Sequence, residues 1–148
     1  QKLINQVVLI DYTIIILGVW DMKEILSGRI CDLPTVDAGA HMLAGEKRIV
    51  FGPERFWDTH VMRCFTLKPG GMAANNHHPW VHWFVCISGH GKFKINEEEY
   101  DLEAGTWVFV PSEASHSFWN TSETEDLVSL CTVTVEGDTD PLALTRGC

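Results

Sequence analysis

From residue 48 onward, apolar and polar positions alternate in short runs of three to nine residues, separated by stretches rich in glycine, proline, asparagine or aspartate. Such runs with period two read as half-buried β-strands. They predict strands over 48–51, 61–67, 82–88, 92–95, 98–102, 107–110, 117–119 and 127–135. Lys68-Pro69-Gly70-Gly71 and Gly89-His90-Gly91 read as turns, and Asn96-Glu97 as the tip of a hairpin. Many short strands at this spacing imply an all-β sandwich or barrel. Residues 32–47 carry Gly, Ala and Pro without sustained periodicity and suggest a loop or short helix, while 137–148 read as a loose tail. The expected organisation is an N-terminal extension (1–47), a β-barrel (48–135) and a C-terminal tail (136–148).

The amino-terminal stretch stands apart. Residues 7–20 are almost wholly apolar but are interrupted by Asp11. A bilayer needs about 20 helical residues, so this run is too short for a transmembrane helix. A secretory signal is disfavoured because Asp11 breaks the apolar core and no clear small-residue cleavage site follows. Val7-Val8-Leu9-Ile10 and Ile14-Ile15-Ile16 favour a strand through β-branching. Such a strand needs a partner, so residues 7–17 are expected along a sheet edge of the same or a neighbouring subunit, in a homodimer. Met22-Lys23-Glu24 resembles an ordinary translation start, which would make residues 1–21 an upstream extension without a role in function.

Charge narrows the partners. The 148 residues carry a net charge of −9, against binding to nucleic acid or an anionic membrane, since either needs clustered Lys and Arg. A small molecule is the expected ligand. Cys31, Cys64, Cys86, Cys131 and Cys148 are odd in number and contain no Cys-x-x-Cys pair, which reads as a reducing cytoplasm.

The candidate chemistry lies between residues 70 and 120, where Asn76, His78, His82 and His116 could converge on one metal ion. Neutral imidazole is the commonest protein ligand for transition metals. Asn76, His78 and His82 share one parity, as do Trp80, Phe84 and Cys86, so all could face one interior. A straight strand would hold His78 and His82 about 13 Å apart, at roughly 3.3 Å per residue, so the chain must bend at Pro79. His116 must come from a distant strand paired opposite.

These residues give the chain a resemblance to the cupin superfamily. The first cupin motif runs Gly, five residues, His, one residue, His, three or four residues, Glu, six residues, Gly. Gly70, Asn76, His78, His82 and Gly89 match its spacing, with Asn for the first His and His for the Glu. The second motif is met by Gly105, Pro111, His116 and Asn120, with Glu113 in place of its second Gly. The His78-Pro79-Trp80-Val81-His82 run also resembles the His-Pro-Trp-Glu-His run of small bacterial single-domain cupins, in which both His bind metal. The resemblance implies a double-stranded β-helix, a jelly-roll barrel with the amino-terminal strand as an addition. It also implies one divalent transition metal held by His78, His82 and His116, with Asn76 a candidate fourth ligand. Fe, Mn, Ni, Zn, Co and Cu all fit a histidine-rich site.

Without the Glu, three imidazoles and an amide leave the ion's charge uncompensated, which favours an anionic or enolisable ligand. Trp80, Phe84 and Phe118 are candidates to line a substrate pocket, with plain core as the alternative. Arg63 either points inward, as a clamp for a substrate carboxylate, or lies on a solvated outer face. Glu113 is expected on the surface, and His77 and His90 outside the site. The expected function is a metal-dependent enzyme on a small organic acid or dicarbonyl compound, with dioxygenase-type chemistry favoured. The alternatives are a cupin isomerase, lyase or decarboxylase, and a non-catalytic module that binds a small ligand or metal.

Overall fold

The structure, a computed structural model, describes residues 26–53 and 55–138. The chain divides into two compact units, 1–32 and 33–148. Of the first, residues 26–32 are described and hold one 3-10 turn, Ile30–Asp32. The strand expected over 7–17 lies outside the described residues.

The second unit is all β. Its strands are β1 (Thr35–Val36), β2 (Met42–Phe51), β3 (His60–Asn76), β4 (His82–Ser88), β5 (Gly91–Ile95), β6 (Glu98–Leu102), β7 (Trp107–Val110), β8 (His116–Asn120) and β9 (Leu127–Thr134). They form an antiparallel sheet in the order β6-β5-β8-β3-β9-β4-β7, with β2 also on β3 and β1 on β2. The sheet folds over on itself as a jelly roll, and β3 is the reason. Residues 60–67 of β3 pair with β9, whereas Met72, Ala73 and Asn76 pair with β8. One strand thus belongs to both halves, bending through a corner at Lys68-Pro69-Gly70-Gly71. That tetrapeptide, expected as a turn between two strands, is instead a bend within one. Gly70 takes φ +75°, which reverses the local path without ending the pairing. Asn120 fixes the corner: its Nδ2 donates to Leu67 O (3.0 Å) and Glu125 O (2.8 Å).

Side-chain alternation fills the interior. On β4, His82, Phe84 and Cys86 are buried while Trp83, Val85 and Ile87 face out; on β9, Leu127, Ser129, Cys131 and Val133 are buried. Phe84, Phe93 and Phe118 form an aromatic cluster with ring centroids 4.9–5.6 Å apart. Burial of each such ring contributes up to about 3 kcal/mol. The outer face of β4 and β7 carries Trp83, Val85, Ile87, Trp107 and Phe109 together, all exposed.

Two further expectations are corrected. Residues 32–47 are only partly loop: 35–36 form β1 and 42–47 the first part of β2, held by pairing of β1 with β2 and of β2 with β3 despite weak local propensity, while 37–41 are loop as expected. Nor are Gly137 and Asp138 loose. Val135–Asp138 forms a 3-10 strap in which Gly137 is buried so tightly that an added Cβ would lie 2.7 Å from the Trp80 ring.

Candidate metal centre

His82 opens β4 and His116 opens β8, while His78 sits in the 77–81 loop that follows β3. Pairing of Asn76 with His116 brings the end of β3 beside β8. The loop is then tied to the 111–115 segment: Glu113 N donates to His78 O (2.8 Å) and Ser112 Oγ to Pro79 O (2.6 Å). The bend expected at Pro79 is present. It folds His78 back toward His82, so their Nε2 atoms lie 2.9 Å apart rather than a strand's length away.

The three imidazoles form one buried cluster, each offering a nitrogen within 4.8 Å of the others. Ring centroids are 4.7–4.9 Å apart. Two nitrogens bound to one ion at about 2.1 Å would sit roughly 3–3.4 Å apart, close to the 2.9 Å between His78 and His82 Nε2 and inside the 4.8 Å that bounds the cluster. The outer nitrogens are engaged. His78 Nδ1 lies 3.0 Å from Trp80 O and His116 Nδ1 lies 2.9 Å from Ala114 O. A carbonyl can only accept, so both Nδ1 atoms carry the proton and both Nε2 atoms keep a lone pair, that of His78 directed at His82 Nε2. His82 differs: its Nδ1 lies 3.3 Å from Cys131 Sγ, and Arg63 Nη2 donates to that sulfur at 3.1 Å.

Electrostatics keep the rings neutral. Burial, then the neighbouring His116, lowers the His78 pKa to about 4. Burial, then Arg63, lowers that of His82 to about 2. Burial also lowers that of His116. No carboxylate is among the lining residues described, and burial outweighs the raising effect of the Trp80 and Ala114 carbonyls, so the rings are neutral at neutral pH.

The cavity at the cluster is small, about 60 Å³, and is lined by Asn76, Trp80, Phe84, Phe118, Arg63 and Cys131 besides the histidines. Trp80 stacks on His78 at 4.8 Å. Phe84 and Phe118 serve both core and cavity wall. Asn76 reaches the wall, but its Oδ1 accepts from His77 N (2.9 Å). Arg63 points inward: it is buried, lies over Phe65 with Cζ 5.2 Å from the ring centroid, and donates from Nη1 to Gly137 O (3.2 Å). Glu113 and His77 are exposed, and His90 lies exposed before β5. Cys131, His41, Lys47 and Asp138 were missing from the sequence reading. The alternation of β9 places Cys131 inside with Leu127 and Val133 and could have revealed it. Lys47 could not be found while its segment read as a loop.

Comparison with known proteins agrees with this architecture. Residues 63–133 match the family model described as "Cupin_2: Cupin domain". An uncharacterized protein of Aquifex aeolicus is 32% identical over 54 residues, 36% of this chain and 45% of that protein, so the chain spans less than half of that relative. Among solved structures, a predicted oxalate decarboxylase from Thermotoga maritima superposes with TM-score 0.61 at 21% identity, covering 74% of this chain and 98% of that one. A cupin 2 conserved barrel domain protein from Rhodopseudomonas palustris gives 0.58 at 25%, covering 68% and 67%. The polyketide cyclase RemF from Streptomyces resistomycificus gives 0.62 at 15%, covering 73% and 77%. The chain shares the fold of these cupins, and the segment that matches the cupin domain model contains all three clustered histidines.

Proposed function

We propose that this cupin is a metal-dependent enzyme acting on a small organic acid or dicarbonyl compound, with dioxygenase-type chemistry the reaction its donor set supports best. The observation that carries the reading is the convergence of three neutral, buried imidazoles with no carboxylate among the described residues of the cavity wall. His78, His82 and His116 would hold one divalent transition metal, with Asn76 beside them as a candidate fourth donor. Bound there, the metal would supply Lewis acidity and, if redox-active, a site for dioxygen. The residues of this chain supply the rest. Backbone carbonyls of Trp80 and Ala114 hold two rings in the metal-binding tautomer. Arg63 draws an acid group toward the cavity, and Trp80, Phe84 and Phe118 exclude water from it.

Cupins of this fold carry names as different as decarboxylase and cyclase, so the fold does not choose the reaction. The small cavity favours a second reading, a non-catalytic module for a small ligand or metal. Oxygen uptake and turnover on a panel of 1,3-dicarbonyls and hydroxy acids, for each reconstituted metal, decide between them. Turnover without oxygen uptake redirects the assignment to an isomerase, lyase or decarboxylase; no turnover with any metal leaves the binding module.

The exposed Trp83, Trp107 and Phe109 on one outer face support a homodimer, and a monomer by light scattering at micromolar concentration would refute it. The free thiols of Cys31, Cys64, Cys86 and Cys131 support a cytoplasmic setting.

A further inference from the structure

Beside the histidine cluster lies a second recess of about 180 Å³, lined by Lys47, Arg63, Asp138, His41, Phe65 and a rim that includes Asp37. It adjoins the histidine cavity through shared walls, since Arg63, Phe65 and His41 line both. Its cations are inside the barrel by register. Lys47 pairs with Phe65 and Ile49 with Arg63 across β2 and β3, so Lys47 shares the inward face. Lys47 and Arg63 are 8% and 7% exposed, and buried Lys or Arg calls for a charged partner. Among the described residues that partner is the half-buried Asp138, whose Oδ1 lies 2.8 Å from Lys47 Nζ and 3.6 Å from Arg63 Nη1. Asp37 is exposed on the rim and its Oδ1 accepts from Gly39 N (2.9 Å). One carboxylate therefore serves two buried cations, from a strap whose Asp138 side chain is itself 24% exposed.

We propose that this recess is a carboxylate subsite: it holds the remote acid group of a dicarboxylate whose other end lies at the histidines, and Asp138 is the internal carboxylate that the ligand displaces. Size argues for the division. The histidine cavity, at about 60 Å³, has room for a few water-sized groups and so for the head of a ligand, while the adjoining recess has three times that space. Chemistry argues for it as well. Arg63 stands on the boundary with a charge that both cavities feel, and Lys47 extends the positive potential away from the metal-binding rings. A monocarboxylate would use the histidine end and leave Lys47 with Asp138; a dicarboxylate would satisfy both ends.

This inference rests on the metal-site reading above, and the test separates the two. Metal-loaded protein is titrated by calorimetry with acetate, malonate, succinate and glutarate. The best dicarboxylate should bind at least ten-fold tighter than acetate. Lys47→Met should erase that advantage with little change for acetate, and Asp138→Asn should tighten dicarboxylate binding several-fold by removing the internal competitor. Should Lys47→Met fail to fold, Asp138→Asn carries the test, because a purely structural ion pair gives no reason for tighter binding on its loss. Acetate binding without a dicarboxylate advantage, or weaker dicarboxylate binding in Asp138→Asn, overturns the subsite alone. No acetate binding to the loaded protein overturns the metal-site reading and the subsite with it.

Discussion

The histidine cluster and the Lys47–Asp138 recess share a wall but handle charge in opposite ways. At the cluster, three ionisable rings are kept neutral by burial, and two are held in orientation by backbone carbonyls. In the recess, two buried cations share one carboxylate. Arg63 belongs to both: it lowers the histidine pKa values from one side and faces Asp138 on the other. Burial without a counter-charge yields ligands for a cation; burial with one yields a site where an anion can exchange.

Removing a ring tests the first half most severely. His78→Ala or His116→Ala should lose metal by at least roughly two orders of magnitude in affinity, as elemental analysis of protein purified without a chelating tag would reveal. Full occupancy in the triple alanine variant would sink the site assignment. A smaller effect should come from the one ring with a non-carbonyl support. Cys131→Ala frees His82 Nδ1 from its sulfur partner and should weaken metal binding roughly 10- to 100-fold in chelator competition, with Cys131→Ser restoring much of it. Equal affinity in all three proteins would show that the sulfur does not orient the ring.

Acid gives the next test. The folded-state pKa of His78 lies below the unfolded value, so the unfolded chain binds more protons between about pH 6.5 and about 4. Stability of the metal-free protein should therefore be full above pH 6.5 and fall as pH drops through that window, by up to about 1.4 kcal/mol per pH unit for each such histidine. Denaturant titrations that show no loss attributable to His78, by comparison with His78→Gln, would contradict the neutral cluster. The smallest effect concerns the loop behind His78. Glu113 adopts φ +63°, a left-handed conformation that costs a side chain roughly 1 kcal/mol. Glu113→Gly should raise stability by about half to 1 kcal/mol and leave the Glu113 N to His78 O hydrogen bond, being backbone, available to the glycine.

Much of this was legible from residue order. Alternation located β4, β7 and β9 closely, because each buries one face and leaves the other more open. Motif spacing singled out the three histidines that cluster. The failures share a cause. Residues 42–47 lack local strand signals and become strand only by pairing with β3, a contact between segments distant in sequence. The Lys-Pro-Gly-Gly stretch carries every sign of a turn, and only the two sets of partners on β3 show that it is a corner. Lys47 and Asp138 could not be assigned to an interior while one was read as loop and the other as tail.

The corner in β3 has a consequence for how the protein comes apart. Because one strand is hydrogen-bonded into both halves, neither half can open fully while the other stays closed, and Arg63 and Ala73 should share one opening event. Native-state hydrogen exchange would then give their amides similar free energies, close to that of global unfolding. A metal bound at the histidines would raise the two together. The site and the sheet that carries it would form a single cooperative unit, with no partially folded form that keeps the pocket and sheds the rest.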